Sequence, residues 1–297
     1  MLQHLEKKNV TMLPCLFRER MLVNRNYLLE LGTQELLQNY YLEAGIVMPD
    51  LQILERPETA KLHWGWEAPT CQLRGHFLGH WLSAASSLIA SENDAALKAK
   101  LDEIISELAR CQELNGGEWI GPFPEKYFTR LEKELDIWSP QYVMHKLIMG
   151  LTHAYLYAGN EQALTIVRHL ADWYIRWTEK VQSTNPHAVY SGEESGMLEM
   201  WAQLFETTKD PVYETLASRY SNPSLFHNLS EGKDALTNCH TNSSIPWAHG
   251  AARMYEVTGD EKYKTIVELF WKCAVISASE VPTPENSGYR LSFPAST

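Results

Sequence analysis

The sequence predicts an all-α protein, in which helical hairpins laid side by side close into a toroid. Three observations carry that prediction. Apolar residues recur at spacings of three and four along most of the 297-residue chain, as one buried helix face requires. No convincing run alternates polar with apolar residues, as a half-buried strand would. A polar turn flanked by aromatic residues returns every 50 residues, the length of a two-helix unit.

The helical spacing is clear in "NRNYLLELGTQELLQNYYLEAG" (24–45), "LKAKLDEIISELARCQEL" (97–114), "YVMHKLIMGLTHAYLYAG" (142–159) and "ALTIVRHLADWYIRWTEKV" (163–181). About ten or eleven helices are expected, joined by short Gly, Asn, Asp and Pro turns. The repeat is visible in "AYLYAGNEQAL", "QLFETTKDPVY" and "RMYEVTGDEKY". Asn160, Asp210 and Asp260 occupy equivalent places, as do Tyr155, Phe205 and Tyr255, and Ala163, Tyr213 and Tyr263. Each polar residue is placed to cap the following helix by accepting a backbone N–H bond. Gly159 and Gly259 suit the left-handed turn that ends the preceding one.

Such hairpins stack as an open solenoid or close into a ring. The loops between repeats are unequal and rich in Trp, Tyr, His and Gly, as in 115–128 and 238–250. That irregularity favours the toroid, because binding groups gather on loops at one end of a rigid scaffold. Helical patterning runs through 263–275. The chain then reads "ISASEVPTPENSGYRLSFPAST", with three prolines and no period. The expected organisation is a helical domain over 1–275, incomplete at its C-terminus, and an irregular tail over 276–297.

Composition excludes several function classes. A formal net charge of −11 disfavours nucleic acid or an anionic membrane as main partner, since both need clustered Lys and Arg. No apolar run approaches the roughly 18 residues that span a bilayer. The first twenty residues lack the apolar core and cleavage site of a secretory signal. Five scattered cysteines suit a reducing cytoplasm better than a disulfide framework.

Candidate chemistry begins with "LRGHFLGHWLSAAS" (73–86), where His76 and His80 stand four residues apart on a predicted helix. Three readings fit: a metal pair, hydrogen-bonded supports beneath a loop, or substrate contacts. The zinc-protease helix needs a glutamate after its first histidine, and Phe77 stands there. His145 follows a Trp-Ser-Pro turn, Glu193 and Glu194 lie in "YSGEESGMLEMW", and His240 and Asn242 lie in "CHTNSSIP". Capping or solvation explains each of these alone, since acids are common in a first helical turn. Cys239 beside His240 lacks the second ligand pair of a zinc site. No two carboxyl groups stand out as the pair that glycoside hydrolysis needs.

Taken together, "NRNYLLEL", "NYYLEAG", "LRGHFLGHWLSA", "ARCQE", "GPFPEKYFTRLE", "WSPQYVMHKLIMGL", "HTNSSIP" and "GAARMYEVTGDEKY" resemble the bacterial β-L-arabinofuranosidase superfamily: glycoside hydrolase family 127 and its relative, family 146. The resemblance runs in order from about residue 20 to about residue 275. It implies a catalytic (α/α)6 barrel followed by β-sandwich domains, and retaining hydrolysis of terminal L-arabinofuranosyl groups. It also implies a cysteine thiolate nucleophile held by zinc with a glutamate and further cysteines, and a separate acid/base glutamate.

The acid/base glutamate of that family follows a Gly-Gly turn after the helix matching "LFWKCAV". Glu280 and Glu285 are not in such a motif, and Cys239 and Cys273 do not match the metal cluster. The resemblance therefore assigns no catalytic or metal residue and no cofactor to this chain, and the complete family enzyme would carry zinc. It carries over a sugar-pocket wall: His80, His145, His240 and Asn242 match family positions. Glu194 matches less closely, because "EESGMLE" departs from the family pattern at Ser195 and Leu198. The expectation is an inactive portion of a β-L-arabinofuranosidase that faces an L-arabinofuranose-containing oligosaccharide. A non-catalytic sugar-binding toroid and an inactive remnant are the alternatives. Apolar faces left open by a missing hairpin would favour homo-oligomers.

Overall fold

A computed structural model describes residues 6–46, 62–221, 223–237 and 239–276. The expected tail, apart from Ile276, lies outside the described residues. Among the described residues the regular elements are helical, with twelve α-helices where ten or eleven were expected. The chain divides into two compact units, Met1–Tyr174 and Ile175–Thr297.

In the first unit, α1 (Leu16–Glu30) and α2 (Thr33–Glu43) split the stretch read as helical over 24–45. Leu31 turns extended, and the Glu35 side chain folds back over Gly32. An acid three residues into a helix commonly reaches back in this way. α3 (His76–Glu92) ends at Asn93 in the left-handed region, with φ 52°. Asp94 then caps α4 (Ala95–Leu114) by accepting the Leu97 N–H at 3.0 Å, and it also pairs with Arg25. α5 (Lys126–Glu132) is a short helix inside and just beyond the segment expected to be loop. α6 (Pro140–Ala158) starts on a proline, whose missing N–H costs nothing in a first turn.

α3 and α6 approach each other closely. A Cβ at Gly79 would collide with the Lys146 carbonyl, and one at Gly150 would sit 2.6 Å from the Gly79 carbonyl oxygen. Contacts ascend together along both helices: Gly79 with Lys146, Leu82 with Gly150, Ser83 with His153. The two therefore run parallel. Leu78, Trp81, Leu82 and Ala85 of α3 and Val143, Met144, Leu147 and Leu151 of α6 are buried, with the Trp81 indole N–H donating to the Leu28 carbonyl of α1 at 3.1 Å. Each large apolar side chain so buried contributes ~1.5–3 kcal/mol.

α7 (Glu161–Thr184) contains the boundary between the units. The second unit continues with α8 (Met197–Thr208), α9 (Pro211–Arg219), α10 (Pro223–Ser230), α11 (Thr241–Thr258) and α12 (Glu261–Trp271), then a π-helical turn to Ile276. α8 and α11 also run parallel. Leu198 meets Gly250, and Glu206 lies 3.4 Å from Arg253.

The 50-residue repeat holds in three dimensions. Asp210 accepts the Val212 N–H and Asp260 the Lys262 N–H, each at 3.0 Å, while Asn160 accepts that of Ala163 at 2.9 Å. Thr208 and Thr258 each accept the aspartate's own N–H at 3.2 Å. Gly159 and Gly259 take positive φ, and Lys209 does so in the middle repeat. Ala163, Tyr213 and Tyr263 are all buried.

One expected loop is mostly helix. Within 238–250, α11 begins at Thr241 and runs through Pro246. Its polar first turn and its proline hide the helical period. Pro246 has no N–H to give the Asn242 carbonyl four residues earlier, so that carbonyl is released from the helix ladder.

Candidate functional site

The N-terminus of α3 is built around one carboxylate. Gly75 takes a positive φ of 86° where a Cβ would strike Pro122, and its carbonyl accepts the Tyr40 hydroxyl at 3.0 Å. Glu67, on the short turn Gly65–Glu67, accepts the Gly75 N–H at 2.6 Å and the Phe77 N–H at 3.0 Å. A helix N-terminus is where a negative charge is best placed. Nδ1 of His76 lies 2.7 Å from the same carboxylate and 3.1 Å from the Leu73 carbonyl. Burial pushes the Glu67 carboxyl upward, but the His76, Phe77 and Gly75 hydrogen bonds outweigh it and hold it below its ordinary value. His76 is thus a brace between the loop and the helix.

One turn on, His80 faces α6. Its Nε2 lies 3.4 Å from the Tyr142 hydroxyl, and its ring is 5.9 Å from that of His76. Burial, with Lys146 and His76 nearby, pushes the His80 imidazole down to about 4. His145 is buried, and burial drives it well below the usual range, with Lys146, His80 and His153 adding to the effect. Its Nε2 has no hydrogen-bond partner within the described chain. Further along, Nδ1 of His153 lies 2.7 Å from the Ser83 hydroxyl, and burial brings His153 to about 4.

His80 thus sits on α3 against Tyr142 of α6, while His145 is buried on α6, where the His80 charge is among those that depress it; burial keeps both rings neutral near pH 7. A neutral imidazole offers one donor and one acceptor, the pairing a sugar hydroxyl can match. At neutral pH such rings are not in the imidazolium form that acts as a general acid.

The other sequence-predicted residues belong to the second unit. Glu194 is buried just before α8, after Glu193 in the left-handed region at φ 58°, and its carbonyl accepts the Met197 N–H at 2.8 Å. Burial, with Glu193 adding its charge, raises the Glu194 carboxyl to about 7. His240 and Asn242 are exposed at the start of α11. The His240 backbone carbonyl accepts the Ser243 and Ser244 N–H groups, each at 3.0 Å, while its side chain does no capping.

Sequence reasoning missed Glu67, Tyr142, Ser83 and His153. For Glu67 the available signal was "HWGWE", a glycine turn that carries two tryptophans and an acid just ahead of a helix.

The residues described do not fit a zinc–thiolate centre. No three His, Cys, Asp or Glu side chains among them converge as a metal site requires. All five cysteines are free thiols. Burial pushes Cys111 up to about 12, away from the thiolate. The Cys239 thiol donates to the Ala235 carbonyl at 3.2 Å.

Comparison with known proteins gives one family. The model described as "Beta-L-arabinofuranosidase, GH127 catalytic domain" matches residues 9–281. A search of curated proteins returns no match. The family's catalytic domain is an all-α helical toroid, the fold class that the repeat predicts. With most of its length matched, the chain belongs to the GH127 β-L-arabinofuranosidase catalytic-domain family.

Proposed function

We propose that this chain serves a β-L-arabinofuranosidase-type glycoside hydrolase by holding a glycan that ends in an L-arabinofuranosyl group. His80, His145, Glu194, His240 and Asn242 are the proposed sugar contacts. The observation that carries the reading is His145, a buried neutral imidazole whose Nε2 lacks a partner in the described chain, on the same helix pair as half-buried His80. A buried polar atom of this kind costs about 1–3 kcal/mol unless something outside the chain completes it. A sugar hydroxyl, directly or through water, would do so.

Binding without cleavage is the activity proposed for this polypeptide by itself, since its described residues supply no thiolate centre. Titration calorimetry with L-arabinose and arabino-oligosaccharides tests the binding, which should saturate and disappear in His80→Ala. An assay with an aryl β-L-arabinofuranoside and added zinc tests the chemistry. Robust turnover by the purified chain would overturn the non-catalytic reading.

Among the described residues no helix is long and apolar enough to cross a membrane. The five unpaired thiols support a cytoplasmic setting. Leu13, Leu16, Phe17 and Val23 stand exposed on and just before α1, which supports self-association. Sedimentation of Phe17→Asp beside the parent chain would reveal it.

A further inference from the structure

From the loop that precedes α3 we infer a second sugar-binding site: an aromatic platform for the glycan residue next to the terminal sugar. The inference rests on the glycan reading above. Trp64 and Trp66 are 61% and 64% exposed, although side chains of α2 hold the turn that carries them. Buried Gln38 donates to the His63 and Glu67 carbonyls at 2.8 and 2.9 Å and accepts the His63 N–H at 2.8 Å. Buried Asn39 donates to the Glu67 carbonyl at 2.9 Å, and the Glu67 side chain is tied to the start of α3. Amides drawn from the core thus fix both ends of a turn whose indoles point to water. Large aromatic side chains ordinarily gain by burial. A rigid loop that holds two of them outward is built to present them.

Their neighbours give the direction. The Trp66 ring centroid lies 6.2 Å from that of His76, which in turn lies 5.9 Å from His80 and 6.1 Å from Tyr142. The indole is therefore continuous with the half-buried imidazole proposed to meet the terminal sugar. The Gln72 side-chain carbonyl accepts the Trp138 backbone N–H at 2.6 Å and ties the same loop to the start of α6, where Trp138 is 45% exposed. Because α3 and α6 run parallel, these rings share one end of the helix pair. The C–H face of a sugar ring carries partial positive charge, which matches the negative face of an indole. Flat aromatic platforms hold successive rings of a polymer in this manner, tolerant of sequence.

The test is calorimetric titration of the full chain with L-arabinose, an arabino-disaccharide and an arabino-trisaccharide, each paired with tryptophan fluorescence. The wild-type chain should bind the trisaccharide about tenfold or more tighter than the monosaccharide. Trp66→Ala and Trp64→Ala should erase that advantage and leave monosaccharide binding intact, and Trp66→Phe should keep part of it. Both positions are exposed, so the variants should fold, which unchanged melting curves would verify. Equal affinity for mono- and trisaccharide, or an advantage that survives both alanine variants, would overturn the platform and leave the glycan reading standing. Failure of the wild-type chain to bind any of the three sugars would overturn the glycan reading and the platform with it.

Discussion

Glu67 Oε1 lies 2.7 Å from His76 Nδ1, and through that contact a loop carboxylate and a helix imidazole hold the entrance to α3 in one shape. The same carboxylate takes two backbone N–H groups at the helix start. Glu67→Gln turns an NH2 group toward at least one of those donors. The variant should lose about 1–3 kcal/mol of stability, read as a lower urea midpoint at pH 7. The pH profile gives a second reading. Glu67 titrates below its ordinary 4.5 in the folded chain, so its stabilisation is complete above that value and is lost as pH falls through the lowered one. The Gln variant should show a flatter midpoint profile across that acid range.

His80 and His153 are each pushed from 6.5 down to about 4 by burial. The unfolded chain takes up protons near 6.5 and the folded chain does not. Stability from these sites is therefore full above about 6.5 and declines as pH falls toward 4. Nitrogen-detected NMR at pH 5.5 should find both rings neutral. Imidazolium shifts for either at that pH would contradict the burial of that ring.

Glu194 gives the opposite slope. Its carboxyl is raised to about 7 in the folded chain from an ordinary 4.5. Between those values the folded state holds a proton that the unfolded state has released, so stability falls as pH rises through the window. Glu194→Gln should remove that slope and match or exceed the parent's melting temperature at pH 8. Should the protonated carboxyl donate to a sugar hydroxyl, parent binding would weaken above pH 7 while the amide variant's would not. Calorimetry at pH 6 and pH 8 separates the two.

Gly79→Ala places a methyl against the Lys146 carbonyl of the partner helix. Backbone cannot yield as a flexible side chain can, so a loss of about 1–3 kcal/mol or more is expected. Thermal melts should show it. An unchanged melting temperature would mean that the helices are not in contact there.

The turns were the most legible part of the fold. Asn160, Asp210 and Asp260 each act within three residues of themselves, so a local pattern suffices to read them. α5 and the start of α11 were hidden, because Pro124 and Pro246 stand where a helical period would otherwise show. For the site, the His80 motif was readable, but the burial of His145 was not, since it depends on how α6 packs in the folded chain. Glu67 was out of reach for a similar reason. Its partner comes nine residues later, across a stretch with no period, and only the folded loop joins them.

The glycine contact between α3 and α6 also indexes the two helices against each other, like teeth on a pair of racks. Adding one residue to either helix would turn everything beyond it by about 100°, swing His153 away from Ser83 and wedge a side chain into the gap left for bare backbone. Length changes in this protein should therefore be tolerated in the connecting loops and not in the span from Gly79 to Ser83 or from His145 to Gly150.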